Sequence, residues 1–152
     1  IKHQHQIEGI NSRLDGLQAA ILSAKLPYIL EWTEKRIEKA KLYDKYLQGI
    51  AGIKTPVVRP GSKHTWHLYV VLAESRDQLK EFLKEQGVET FIHYPTPLPS
   101  LPCYKYLGYT PADFPVATKL QGQILSLPIY PEITDDMIEY VADAIRRFYD
   151  KR

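Results

Sequence analysis

Apolar residues recur at helical spacing from Leu14 to Leu47, and no other feature limits the possible folds as much. Leu14, Leu17, Ile21 and Ala24 share one face, and Leu30, Ile37, Ala40 and Leu47 resume the pattern beyond Pro27. Proline lacks a donor and crowds the preceding turn, so the run predicts a long amphipathic helix in two parts, broken near Pro27. Asn11 or Ser12 is expected to cap its start. Gly49 and Gly52 are expected to end it.

The rest of the chain alternates strand and helix signals. Trp66–Ala73 is a continuous apolar run and reads as a buried strand. Ser75 and Gln78 have capping-box spacing before a short helix with Leu79, Phe82 and Leu83, which Gly87 closes. Val88–His93 reads as a second strand, followed by a Pro/Tyr-rich loop through Pro111. Pro115 suits the first position of another helix. Ile124–Leu127 reads as a third strand. Thr134 is expected to cap a last helix, with Asp135 and Asp136 in its first turn and Ile138, Val141, Ala142, Ile145 and Phe148 inward. Helices against a small sheet make an α+β layer. Residues 1–12 are polar and aperiodic and read as an extended approach.

At 152 residues, 44% apolar and 25% charged, the composition is that of one globular domain. A net charge of +2 gives no reason to expect nucleic-acid or membrane partners. The single cysteine, Cys103, excludes an internal disulfide and a cysteine-rich zinc site, and a free thiol fits a cytoplasmic setting. The only methionine is Met137 and the chain begins at Ile1. We therefore expect it to be the C-terminal part of a larger enzyme.

Three places could carry chemistry. His3, His5, Asn11 and Arg13 lead into the first helix, whose N-terminus would suit an anion such as phosphate; Asn11 could equally just cap and Arg13 be solvated. His3 and His5 have no further ligands near them, so no metal site is expected. His64 and His67 fall on opposite faces of a strand flanking Trp66, which favours structural roles. Ile92-His93-Tyr94-Pro95 ends a strand with two polar-tipped rings stiffened by proline. There is no Gly-rich phosphate loop and no lysine in a conspicuously apolar setting.

Five motifs in order carry a resemblance. They are Gly9-Ile10-Asn11-Ser12-Arg13-Leu14-Asp15 with Leu17–Leu22, His64-Thr65-Trp66-His67-Leu68-Tyr69, Gly87-Val88 leading to Ile92-His93-Tyr94-Pro95, Phe114-Pro115-Val116-Ala117, and Leu125–Pro131. Together they resemble the pyridoxal 5'-phosphate (PLP)-dependent nucleotide-sugar aminotransferases, the DegT/DnrJ/StrS family of fold-type I enzymes. Three positions depart from the usual pattern: Gln4 replaces an aromatic, Thr118 a glutamate and Pro99 a histidine.

The resemblance implies an enzyme of about 350–400 residues, more than one domain. Its N-terminal large domain would hold the Schiff-base lysine and the acidic partner of the pyridine nitrogen. Residues 1–13 would cross from that domain, and 14–152 would be the small C-terminal domain, with helices on a small, mainly antiparallel three-stranded sheet. The resemblance further implies a homodimer with shared active sites. Asn11 and Arg13 would bind PLP, Asn11 reaching the phosphate held by the other subunit. His5, His93 and Tyr94 would contact the nucleotide-sugar. Glutamate would supply the amino group, the upstream lysine would carry the protons, so that no catalytic residue is assigned to this chain, and the isolated small domain would be inactive.

Overall fold

The first helix starts later than its sequence suggests. α1 (Gly16–Lys25) is capped by Asp15, whose carboxylate accepts the Gln18 N–H at 2.8 Å. Asn11 and Ser12 lie outside it. A 3-10 turn, Leu26–Tyr28, places Pro27 between α1 and α2 (Ile29–Leu47), the expected interruption. There follow β1 (Ile53–Lys54), β2 (Tyr69–Ala73), α3 (Arg76–Glu85), α4 (Pro115–Leu120), β3 (Ile124–Leu127) and α5 (Asp135–Asp150). The computed structural model describes residues 3, 5–12 and 14–151. It divides into two units, Ile1–Leu30 with Tyr94–Gln121, and Glu31–His93 with Gly122–Arg152.

The second unit holds the sheet and the core. Its strands run in the order β1-β2-β3, antiparallel throughout. Tyr69 pairs with Leu127 and Ile53 with Ala73. Tyr69, Val71 and Ala73 are buried on one face of β2, as period-2 geometry requires. From the helices, Tyr43, Leu47, Leu79, Leu83, Ile138 and Ile145 complete a core with almost no exposed surface. Each such side chain contributes roughly 1.5–3 kcal/mol by leaving water. Thr134 caps α5 by accepting the Met137 N–H. Arg76 is buried at the start of α3, where it donates to the Ile124 carbonyl at 2.9 Å.

Three expectations change here. The strand expected from Trp66 begins only at Tyr69, because Trp66 has a φ of 51°, which no strand tolerates. Val88–His93 is not a strand: Phe91 alone pairs, with Ser126. The third strand is instead the two-residue β1. Ser75 sits at the N-cap of α3, but in a left-handed conformation and without a side-chain capping bond.

The first unit has a different texture. The Pro/Tyr-rich loop is wound into 3-10 turns at Leu98–Ser100, Pro102–Leu107 and Pro111–Asp113, followed by α4. Each has proline in its first turn, where a missing N–H costs nothing. The Asp113 carboxylate accepts from the Thr110 amide and hydroxyl, and these bonds hold its pKa below the ordinary value. α1 buries none of its residues, and Leu17 is 74% exposed.

Candidate functional site

A cavity of about 710 Å³ opens in the second unit. The Phe91–His93 segment, the end of β3 with the turn after it, and the first turns of α5 form its walls. Phe91, Tyr130, Met137, Tyr140 and Val141 make it largely apolar, and the Glu89 and Asp136 side chains line it as well. Such a lining with few polar groups suits a small-molecule ligand. The Tyr43 hydroxyl donates to the Pro128 carbonyl at 2.8 Å and fixes the turn after β3. The Tyr140 hydroxyl donates to the Gln86 carbonyl at 2.9 Å, tying α5 to the end of α3.

His93 lies in this wall. Its Nδ1 is 2.9 Å from the Ser126 hydroxyl, and Ser126 is only 3% exposed. The Phe91 ring is 6.1 Å from the imidazole. His67 also lines the cavity, although its sequence context suggested a purely structural role. His64 is structural as expected, its Nδ1 accepting the Trp66 N–H at 2.9 Å.

The other named residues belong to the first unit. Tyr94 is exposed and meets the His3 ring edge-on at 5.3 Å. The His5 carbonyl accepts the Cys103 N–H at 3.1 Å. The Tyr106 hydroxyl donates to Glu8 at 2.9 Å, a bond that raises the phenol's pKa. His3, His5 and Glu8 are therefore anchored to the segment around Tyr94–Tyr106, which an aperiodic sequence does not reveal. The Asn11 side chain is exposed, with no hydrogen-bond partner among the described residues. Because Asp15 does the capping, the Asn11 amide is not consumed by α1. The same carboxylate takes up one of the free N–H groups at the helix N-terminus. Arg13 lies outside the described residues.

Among the described residues no group of three or more His, Cys, Asp or Glu could hold a metal ion. None of the described lysines is buried. Lys39, the most sheltered of the ion-paired ones, meets Asp135 at 2.6 Å. No helix among the described residues is long and apolar enough to cross a membrane.

The DegT/DnrJ/EryC1/StrS aminotransferase family matches residues 1–146. The chain belongs to this family. Its relatives include the pleiotropic regulatory protein of Geobacillus stearothermophilus, 42% identical over 150 residues (97% of this chain, 40% of the relative). The dTDP-3-amino-3,4,6-trideoxy-alpha-D-glucose transaminase of Streptomyces venezuelae is 36% identical over 150 residues (99% and 40%). The crystal structure of S. venezuelae DesV in complex with a ketimine intermediate superposes with a TM-score of 0.84 at 35% identity, covering 99% of this chain and 40% of that one. The chain thus spans about two fifths of the length of these relatives. Helices on a three-stranded antiparallel sheet are a fold the family shares.

Proposed function

We propose that this chain is the small-domain part of a PLP-dependent aminotransferase that moves an amino group from glutamate to the keto group of a nucleotide-linked deoxysugar. The likeness to a sugar transaminase across 99% of the chain carries this reading. Residues 1–13 would cross from a large domain and 14–152 would form the small one. The protein would work in the cytoplasm as a homodimer with shared sites. The small domain alone would be inactive.

The residues present fit the cofactor. An exposed amide with no other partner, Asn11, is suited to donate to a phosphate oxygen, and a guanidinium at Arg13 suits the same anion. Asn11 would reach the phosphate held by the partner protomer. When bound, PLP supplies the electron sink that amino-group transfer needs. His5 would lie at the sugar-nucleotide approach, and His93 and Tyr94 would hold the substrate. The carboxylates of Glu89 and Asp136 oppose a diphosphate in the His93 cavity, so the sugar end is the better occupant. The proton-carrying lysine would belong to the rest of the protein.

A relative 42% identical bears the name of a regulatory protein, which supports a second reading: a noncatalytic or dehydratase-like member of this fold that binds a sugar nucleotide or regulates. Spectroscopy of the full-length protein separates the two. With PLP, the aminotransferase reading expects a band at roughly 410–430 nm that glutamate bleaches. A protein that binds PLP without glutamate bleaching, or shows no band, belongs to the second reading.

A further inference from the structure

We infer that His67 is a further sugar-binding residue, aimed into the cavity by a left-handed turn at Trp66 and donating a ring N–H to an oxygen of the sugar. This deepens the nucleotide-sugar reading proposed above and rests on it for the identity of the ligand.

The strand pattern alone would put His67 elsewhere. Counted back from Tyr69, alternation places it on the core face of β2, where Tyr69 and Val71 are fully buried. His67 is instead exposed and lines the cavity. The change of direction comes at Trp66, whose φ of 51° takes the chain out of the strand's path just before His67. A bulky side chain is unfavourable in the left-handed region and stays there only where its surroundings impose it. Here they do. The Trp66 ring is buried, 5.3 Å from the Tyr69 ring and 4.3 Å from the His64 ring, and the Trp66 N–H donates to His64 Nδ1 at 2.9 Å. Strained backbone of this kind gathers at ligand sites. None of these contacts uses His67, whose ring has no hydrogen-bond or ion-pair partner among the described residues.

Whatever its tautomer or charge, an imidazole carries at least one ring N–H. In an apolar cavity a few such groups set which ligand fits and how it lies. Glu89 and Asp136 line the same cavity, and their carboxylates accept hydrogen bonds. A hexose offers what both kinds of group need: hydroxyl hydrogens for the carboxylates, and keto or hydroxyl oxygens for the imidazole N–H. A diphosphate offers oxygens alone, and the carboxylates repel it.

The test uses the full-length protein and measures by calorimetry the binding of a dTDP-linked keto-6-deoxyhexose and of dTDP alone. His67→Ala should weaken the sugar nucleotide by about five- to ten-fold, the loss of one ordinary hydrogen bond, and leave dTDP affinity and the melting temperature unchanged. His67→Gln, which keeps an N–H, should recover part of the loss. His64→Ala loosens the turn at Trp66 and should weaken the sugar nucleotide by a smaller factor, with no further effect in a His67→Ala background. Unchanged affinity in His67→Ala overturns the inference. So does an equal loss for dTDP, which would place the contact on the nucleotide, or an equal His64→Ala effect with and without His67. In all three the wild type still binds the sugar nucleotide, and the reading above stands. A wild type that gains nothing from the sugar over dTDP, or binds neither, overturns that reading and the role of His67 together.

Discussion

Gly52→Ala probes how tightly the sheet edge is closed against α5. Gly52 precedes β1 with a φ of 85°, and its carbonyl accepts the Glu74 N–H at 2.8 Å. A Cβ there would lie 2.4 Å from Tyr149 Cε1 and 2.8 Å from Cδ1. The left-handed backbone alone costs an alanine roughly 1–2 kcal/mol. The ring must also swing aside. That strains the Tyr149 hydroxyl bond to the Glu74 carbonyl at 2.7 Å, worth about 1 kcal/mol. It also disturbs the edge-on contact with Phe148 at 4.9 Å, worth about 0.5–1.5 kcal/mol. The expected destabilisation is about 3 kcal/mol, read as a shift in urea midpoint by tryptophan fluorescence. In a Tyr149→Ala background the steric part is gone, and only about 1–2 kcal/mol of backbone strain should remain. A cost below about 0.5 kcal/mol, or the same cost in both backgrounds, would refute the reasoning.

Asp15→Ala removes the cap of α1; about 1 kcal/mol of local stability should go, seen as faster hydrogen exchange at Gln18, and unchanged exchange would place the cap elsewhere. Burial pushes the Tyr43 and Tyr69 hydroxyls well above the ordinary 10.0, and for Tyr69 the bond to Asp44 adds to it. Their folded pKa values are raised, so the stability gained by keeping them neutral is complete below pH 10.0 and drains as pH rises above it. In an alkaline titration these two phenols should ionise only as native circular dichroism disappears; reversible ionisation near pH 10.0 in the folded chain would contradict this. Asn11→Ala should weaken PLP binding about ten-fold or more, as expected for a bond to a charged oxygen. Mixing Asn11→Asp protomers with protomers lacking the Schiff-base lysine should restore roughly a quarter of wild-type activity if Asn11 acts across the dimer, and none if it acts within its own protomer.

Local signals were read well where they decide structure by themselves. Ile124–Leu127 is a strand with the expected ends, Thr134 caps α5, and Pro115 opens α4. Val88–His93 shows the limit of periodicity. Val88 and Thr90 are buried while Glu89 and Phe91 are exposed, so the alternation reports burial faithfully. It says nothing of hydrogen bonds, and only Phe91 finds a partner strand. β1 has two residues, too few to display a period. In the site, His93 was nameable from its motif, but its partner Ser126 is 33 residues away, and only the fold brings them together. The cap at Asp15 was missed for a simpler reason. Leu14 takes a φ of 78°, which breaks the chain's path just where the apolar period begins.

The central claim is that this chain helps to build a site where glutamate nitrogen reaches a sugar. The direct measurement is to incubate the full-length protein with PLP, [15N]glutamate and a dTDP-linked keto-6-deoxyhexose, and to weigh the nucleotide-sugar product. Enrichment of the sugar in 15N, matched by an equal yield of 2-oxoglutarate, is the predicted result. A protein that binds the sugar nucleotide tightly and transfers no 15N would contradict the claim and leave a binding or regulatory member of the family.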